Sequence, residues 1–130
     1  MINNTQLLRL SLAAVWLFTA AASMAYPQAE NMAMLERVGL HGTTALGVLY
    51  SGITLDAAMG VLTLLNLRTL QKWLWLVQGM VIMTYSIIIA VYLPDYALHP
   101  FGVLLKNIPI LAILWILWRE ANQAKGDEYV

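Results

Sequence analysis

The chain has no cysteine among its 130 residues, which removes disulfides, thiolate chemistry, cysteine-ligated zinc and iron–sulfur clusters at once. Charge is nearly as scarce: 11% of residues are charged, where soluble domains carry about 25%. Seven basic and seven acidic residues cancel, so there is no basic footprint for nucleic acid. Only two histidines occur, His41 and His99, and they stand far apart without the HxxxH or HExxH spacing of a metal site. What fills the chain is apolar: 61% of it is hydrophobic, against about 45–50% in soluble domains. A soluble fold this small leaves too much surface in water to hide that content, and a disordered chain would carry far less of it. An integral membrane protein remains.

Long runs without charge occur four times: Leu10 to Tyr26; Val38 to Leu67, interrupted by Asp56; Trp73 to Pro94; and Tyr96 to Trp118, interrupted by Lys106. A span needs roughly 20 residues. The expected architecture is therefore an all-α membrane protein, a four-helix transmembrane bundle forming one domain over residues 1–119. Its spans fall at about 7–26, 42–66, 73–93 and 100–118, followed by a polar, frayed tail over 120–130. Alternating strands of the kind that build membrane barrels are absent. Arg9, an apolar run and Ser23-Met24-Ala25 also resemble a cleavable leader. The helix is preferred, because a three-span remnant would enclose Asp56 and Lys106 less well. Between the first two spans, Met32, Leu35 and Val38 recur every three residues, which predicts a short amphipathic helix on the membrane surface.

The polar residues inside the spans demand an explanation. A charge at the bilayer centre costs about 2.5–3.5 kcal/mol on insertion scales. Counting at 1.5 Å per residue from the basic rim, Asp56 lies about 18 Å above Arg68, and Lys106 about 19–20 Å above Arg119. Equal depth predicts an ion pair between them, pinning the second span to the fourth. Gly52 and Gly60 flank Asp56 one turn away on each side, a small-residue stripe that allows close helix approach. Tyr85, between Thr84 and Ser86, shares that depth. His99, Pro100, Gly102 and Pro109 read as the turn that re-enters the membrane and the proline that follows it. Glu36, Arg37 and Asp95 gather near the two histidines, but the ligand spacing is wrong and no metal is assigned. The seven methionines are scattered as core filling.

Leu8-Arg9-Leu10 leading to Trp16, Tyr26-Pro27 after the first span, an acid in the second, and above all the run His99-Pro100-Phe101-Gly102-Val103-Leu104-Leu105-Lys106-Asn107-Ile108-Pro109 make a pattern. That pattern resembles the DoxX-like family of small four-helix bacterial membrane proteins, from about Leu7 to Trp118. The resemblance implies the bacterial inner membrane and an association with redox enzymes, since founding members are similar to membrane subunits of thiosulfate:quinone oxidoreductases. Some relatives are linked to soluble nicotinamide-dependent oxidoreductases, but no nucleotide-binding domain stands in this chain. Two readings follow. One is an accessory or anchoring subunit for a membrane-associated oxidoreductase, with no catalysis of its own. The other is a small-molecule protein holding a quinone-like ligand at Asp56, Tyr85, Lys106 and Asn107, with proton transfer through Asp56. Partners would be the bilayer, a redox enzyme and, as an open choice, further copies of the chain. A transporter would call for an inverted repeat, and the spans are unequal.

Basic residues set the expected orientation. Arg9, Arg68, Lys72, Arg119 and Lys125 fall on one side, Arg37 alone on the other, and Lys106 within the membrane. The rule that positive loops stay inside then puts both termini in the cytoplasm. Reporter fusions at Val130 and near Asn31 should confirm this: a periplasm-only reporter is silent at Val130 and active at Asn31. The reverse pattern would overturn the orientation.

Overall fold

The computed structural model describes residues 1–100 and 102–126. Those residues form six helices: α1 (Asn4–Ala25), α2 (Gln28–Arg37), α3 (Gly42–Leu65), α4 (Gln71–Tyr92), α5 (Pro94–Ala97) and α6 (Val103–Gly126). The structure is 85% helix, without strands among the described residues. Local sequence explains the boundaries. Asn3 caps α1 by accepting from the Gln6 amide at 2.8 Å, while the Gln6 side chain accepts from the Asn3 amide at 3.1 Å. The helix stops at Tyr26, held extended (φ −70°, ψ 144°) by the proline that follows. Asn66 ends α3 in the left-handed conformation at φ 54°, and Gln71, at the start of α4, donates to its side chain. Pro94 closes α4 and opens α5. Of the stretch read as a frayed polar tail, residues 120–126 instead continue α6 as helix, and 127–130 lie outside the described residues.

Three helices, α1, α3 and α4, are long and apolar enough to cross a membrane. Within each, less than a third of the most apolar stretch is buried against protein (22%, 28% and 17%). A helix apolar on every side and buried on so little of it belongs in lipid. The fourth long helix, α6, is equally extended but carries Lys106, Arg119 and Glu120.

The bundle is built as two pairs. α1 packs along α3, and α4 along α6; α1 also meets α6, whereas α3 and α4 scarcely touch despite being consecutive. Leu12 and Trp16 of α1, Met59 of α3, Trp75 and Ile82 of α4, and Leu114 and Leu117 of α6 form the common core. Thr5 at the start of α1 donates to Glu120 near the end of α6 at 2.7 Å, so these two ends share one end of the bundle. At the opposite end, Arg37 of α2 grips Asp95 of α5 through two hydrogen bonds of 3.0 and 2.6 Å. That guanidinium holds the Asp95 carboxyl below the usual carboxylate range. Met32, Leu35 and Val38 of the α2 region are half-buried, and α2 packs against α3.

Gly60 is where α1 and α3 come closest. A Cβ there would stand 2.6 Å from Leu17 Cγ and 3.2 Å from the Leu17 backbone nitrogen, whereas at Gly47 nothing lies within 4 Å. Gly60→Ala should therefore cost about 1–3 kcal/mol by overpacking, with Gly47→Ala neutral or slightly stabilising. Thermal unfolding in one detergent compares them, and equal melting temperatures would refute the close approach.

Candidate functional site

Where the two helix pairs face one another they leave a cavity of about 300 Å³. Its wall is mostly aliphatic, from Val15, Ile82, Ile89 and Ile110, and its polar members include Asp56, Tyr85 and Asn107. Asp56 is 6% exposed, and its Oδ1 is buried without a hydrogen-bond partner. The backbone explains its position: Gly60, one turn further along α3, presses that helix onto α1 and turns the same face into the junction. Gly52, one turn earlier, leaves room for Tyr85, whose hydroxyl lies 3.7 Å from where a Cβ would stand. Tyr85 and Asp56 thus meet along one face of α3. Asn107 is already oriented, since its Nδ2 donates to Ser86 Oγ at 2.8 Å, and Ser86 donates to the Ile82 carbonyl at 2.7 Å. Thr19 and Thr84 bond back to their own helices, at the carbonyls of Val15 and Met80.

Three of the four residues expected to line a mid-depth pocket therefore share one cavity. Lys106 does not. Its side chain is exposed, it is not among the lining residues, and the expected ion pair with Asp56 does not form. Equal depth fixed the height of the two charges but not their direction. Consecutive residues on a helix point about 100° apart, so only one of Lys106 and Asn107 can face inward, and it is Asn107.

Gln78 was not singled out by the sequence, and its side chain bonds to residues of two other helices, α1 and α3. Wholly buried in α4, it accepts from Trp16 Nε1 at 2.7 Å and donates to Thr63 Oγ1 at 2.8 Å. Thr63 in turn donates to the Met59 carbonyl at 2.7 Å. A search for charges passes over an uncharged amide. The signal lay in a glutamine standing amid an apolar run, where an unpaired amide is costly.

The turn into α6 depends on Gly102. Its amide donates to the His99 carbonyl at 2.6 Å. A Cβ there would collide with the carbonyl oxygens of Tyr96 and His99. Phe101, part of the distinctive run, lies outside the described residues. Helix α6 continues through Pro109 unbroken. Among the described residues no three histidine, aspartate or glutamate side chains gather as metal ligands, and Asp95 is already held by Arg37.

Several apolar helices long enough to cross a membrane, with a mostly aliphatic cavity between them, define a polytopic helical membrane protein. A family model matches residues 13–115, and the chain belongs to the DoxX-like family. No curated protein and no solved structure matches it.

The Trp16–Gln78–Thr63 chain yields a direct test. Gln78→Ala strands two buried partners and should cost about 1–3 kcal/mol. In a double-mutant cycle with Trp16→Phe, the two losses should couple by about 0.6–1.7 kcal/mol, the range of hydrogen bonds between membrane helices. Strict additivity in detergent unfolding would mean the bond is not made.

Proposed function

We propose that this DoxX-like chain spans a bacterial cytoplasmic membrane four times and binds a lipid-soluble ligand of the quinone class in the cavity beside Asp56. The observation that carries the reading is the buried, unpartnered Oδ1 of Asp56, a residue that lines a mostly aliphatic cavity. A scaffold has no use for such an atom, which costs about 1–3 kcal/mol or more while unsatisfied. A ligand hydroxyl would relieve it. At about 300 Å³ the cavity is at the lower limit of small-molecule sites, which suits a single ring with its tail outside.

The donor set fits this class. Asp56 supplies an acceptor for a quinol hydroxyl, Tyr85 a phenolic donor for a quinone carbonyl, and Asn107 an amide fixed by Ser86. The aliphatic walls exclude water and strengthen each polar contact. When bound, a quinone supplies two-electron, two-proton carriage; Asp56 is the residue placed to hold or exchange one of those protons. An anchoring role beside a redox enzyme is compatible with such a pocket but draws on the family resemblance alone.

Asp56→Leu separates a ligand site from a structural one. Removing an unpartnered buried carboxyl should leave the melting temperature unchanged or raise it. The same change should weaken binding of a short-chain quinol about tenfold or more, the value of a hydrogen bond to a charged group. Tyr85→Phe should weaken it less. The readout is the melting shift on titrating the quinol, with native mass spectrometry for retained quinone. If wild type neither shifts nor retains any quinone, the reading fails. If Asp56→Leu unfolds the protein, the carboxyl is structural.

A further inference from the structure

We propose that the opposite end of the bundle carries a second, independent site: a cleft that binds a phosphate group. The cleft, of about 610 Å³, lies where α1 begins, where α3 turns into α4, and where α6 runs out. Arg9 of α1, Arg68 of the turn and Lys72 of α4 all line it, together with the neutral polar residues Asn3, Gln6 and Thr69. No carboxylate is among its lining residues. Glu120 is tied to its edge through Thr5, which donates to it at 2.7 Å.

Helix dipoles do not create this charge. Two helices start at this end and two finish, so their terminal partial charges offset one another. The positive excess comes from the three side chains, and like charges around one cleft favour an anion between them. Arg9 itself provides a second observation. The Nε of Arg9 is buried and has no hydrogen-bond partner. Arg37 at the other end, by contrast, donates twice to Asp95. A guanidinium with a sheltered, unpaired N–H beside two further cations is suited to a phosphate, which accepts in a forked geometry.

Location indicates where the phosphate would come from. Lys72 Nζ stands 6.0 Å over the ring of Trp73, which is 62% exposed. Exposed indole beside lysine is the composition of the headgroup layer, and basic pockets between membrane helices hold lipid headgroups there. The phosphate of an anionic phospholipid is already at that level. A phosphate-bearing solute from the adjoining water would present the same chemistry.

Native mass spectrometry of the full chain, extracted in mild detergent and offered equal phosphatidylglycerol and phosphatidylcholine, reads this site. Wild type should retain phosphatidylglycerol preferentially. Arg68→Gln and Lys72→Gln should each lower that retention about fivefold, with melting temperatures near wild type, and Arg9→Lys should fall less than Arg9→Gln. Added inorganic phosphate distinguishes the sources. Retention that withstands millimolar phosphate identifies a lipid site, whereas displacement identifies a site that also takes phosphate from solution. Equal retention of the two lipids without any phosphate-dependent melting shift overturns the proposal, as does retention unchanged in both Arg68→Gln and Lys72→Gln. Neither variant touches the Asp56 cavity, so quinol binding serves as the control for folding.

Discussion

The hydrogen-bonded chain from Trp16 through Gln78 to Thr63 decides how this bundle holds together. In lipid there is little hydrophobic force between helices, so association rests on close packing and on polar bonds that have no water to compete with them. Here the packing is uneven: α1 is pressed on α3 and α4 on α6, while α3 and α4 hardly meet. Gln78 spans that gap. One amide side chain, accepting from α1 and donating to α3, sets where the second pair of helices stands against the first. Asn107 to Ser86 does the same work within the second pair.

Once α4 is placed by these bonds, the cavity follows. Gly60 draws α3 towards α1, and Gln78 ties α4 to both at about the level of Trp16 and Thr63. Further from that tie, α3 and α4 diverge, and Tyr85 reaches towards Gly52 without closing the space. Polar accounting then separates two kinds of residue. Gln78, Thr63, Ser86 and Asn107 have partners in the protein and serve geometry. Asp56 Oδ1, Arg9 Nε and Trp118 Nε1 have none, and the first two belong to residues that line the apolar cavity and the basic cleft.

Much of this was legible in the amino-acid sequence, for reasons that depend on one-dimensional order. Helix extents follow from uncharged runs and from punctuation at Asn3, Pro27, Asn66 and Pro94. The shared depth of Asp56, Tyr85 and Asn107 follows from counting residues along helices of fixed rise. Azimuth does not follow from counting. Lys106 has the right height and the wrong direction, and its charge made it conspicuous while its neighbour Asn107 held the inward position. Gln78 and Thr63 were hidden for the complementary reason: uncharged residues leave hydropathy high. The α6 helix past Trp118 was hidden because a helix can continue where its sequence turns polar.

The placement of Asp56 between two glycines then has a physical consequence. A carboxyl can be kept in a membrane by pairing it with a cation, and residue counting puts Lys106 of α6 at matching height, but α3 packs chiefly on α1 and not on α6. The bundle instead turns Lys106 outward and leaves Asp56 against aliphatic walls, facing a tyrosine across a glycine gap. A buried ion pair is itself no guarantee of stability, because desolvating two charges can outweigh their attraction. A buried carboxyl without a cation beside it breaks the rule of local consistency, and such breaks concentrate where a fold is shaped by more than its own stability.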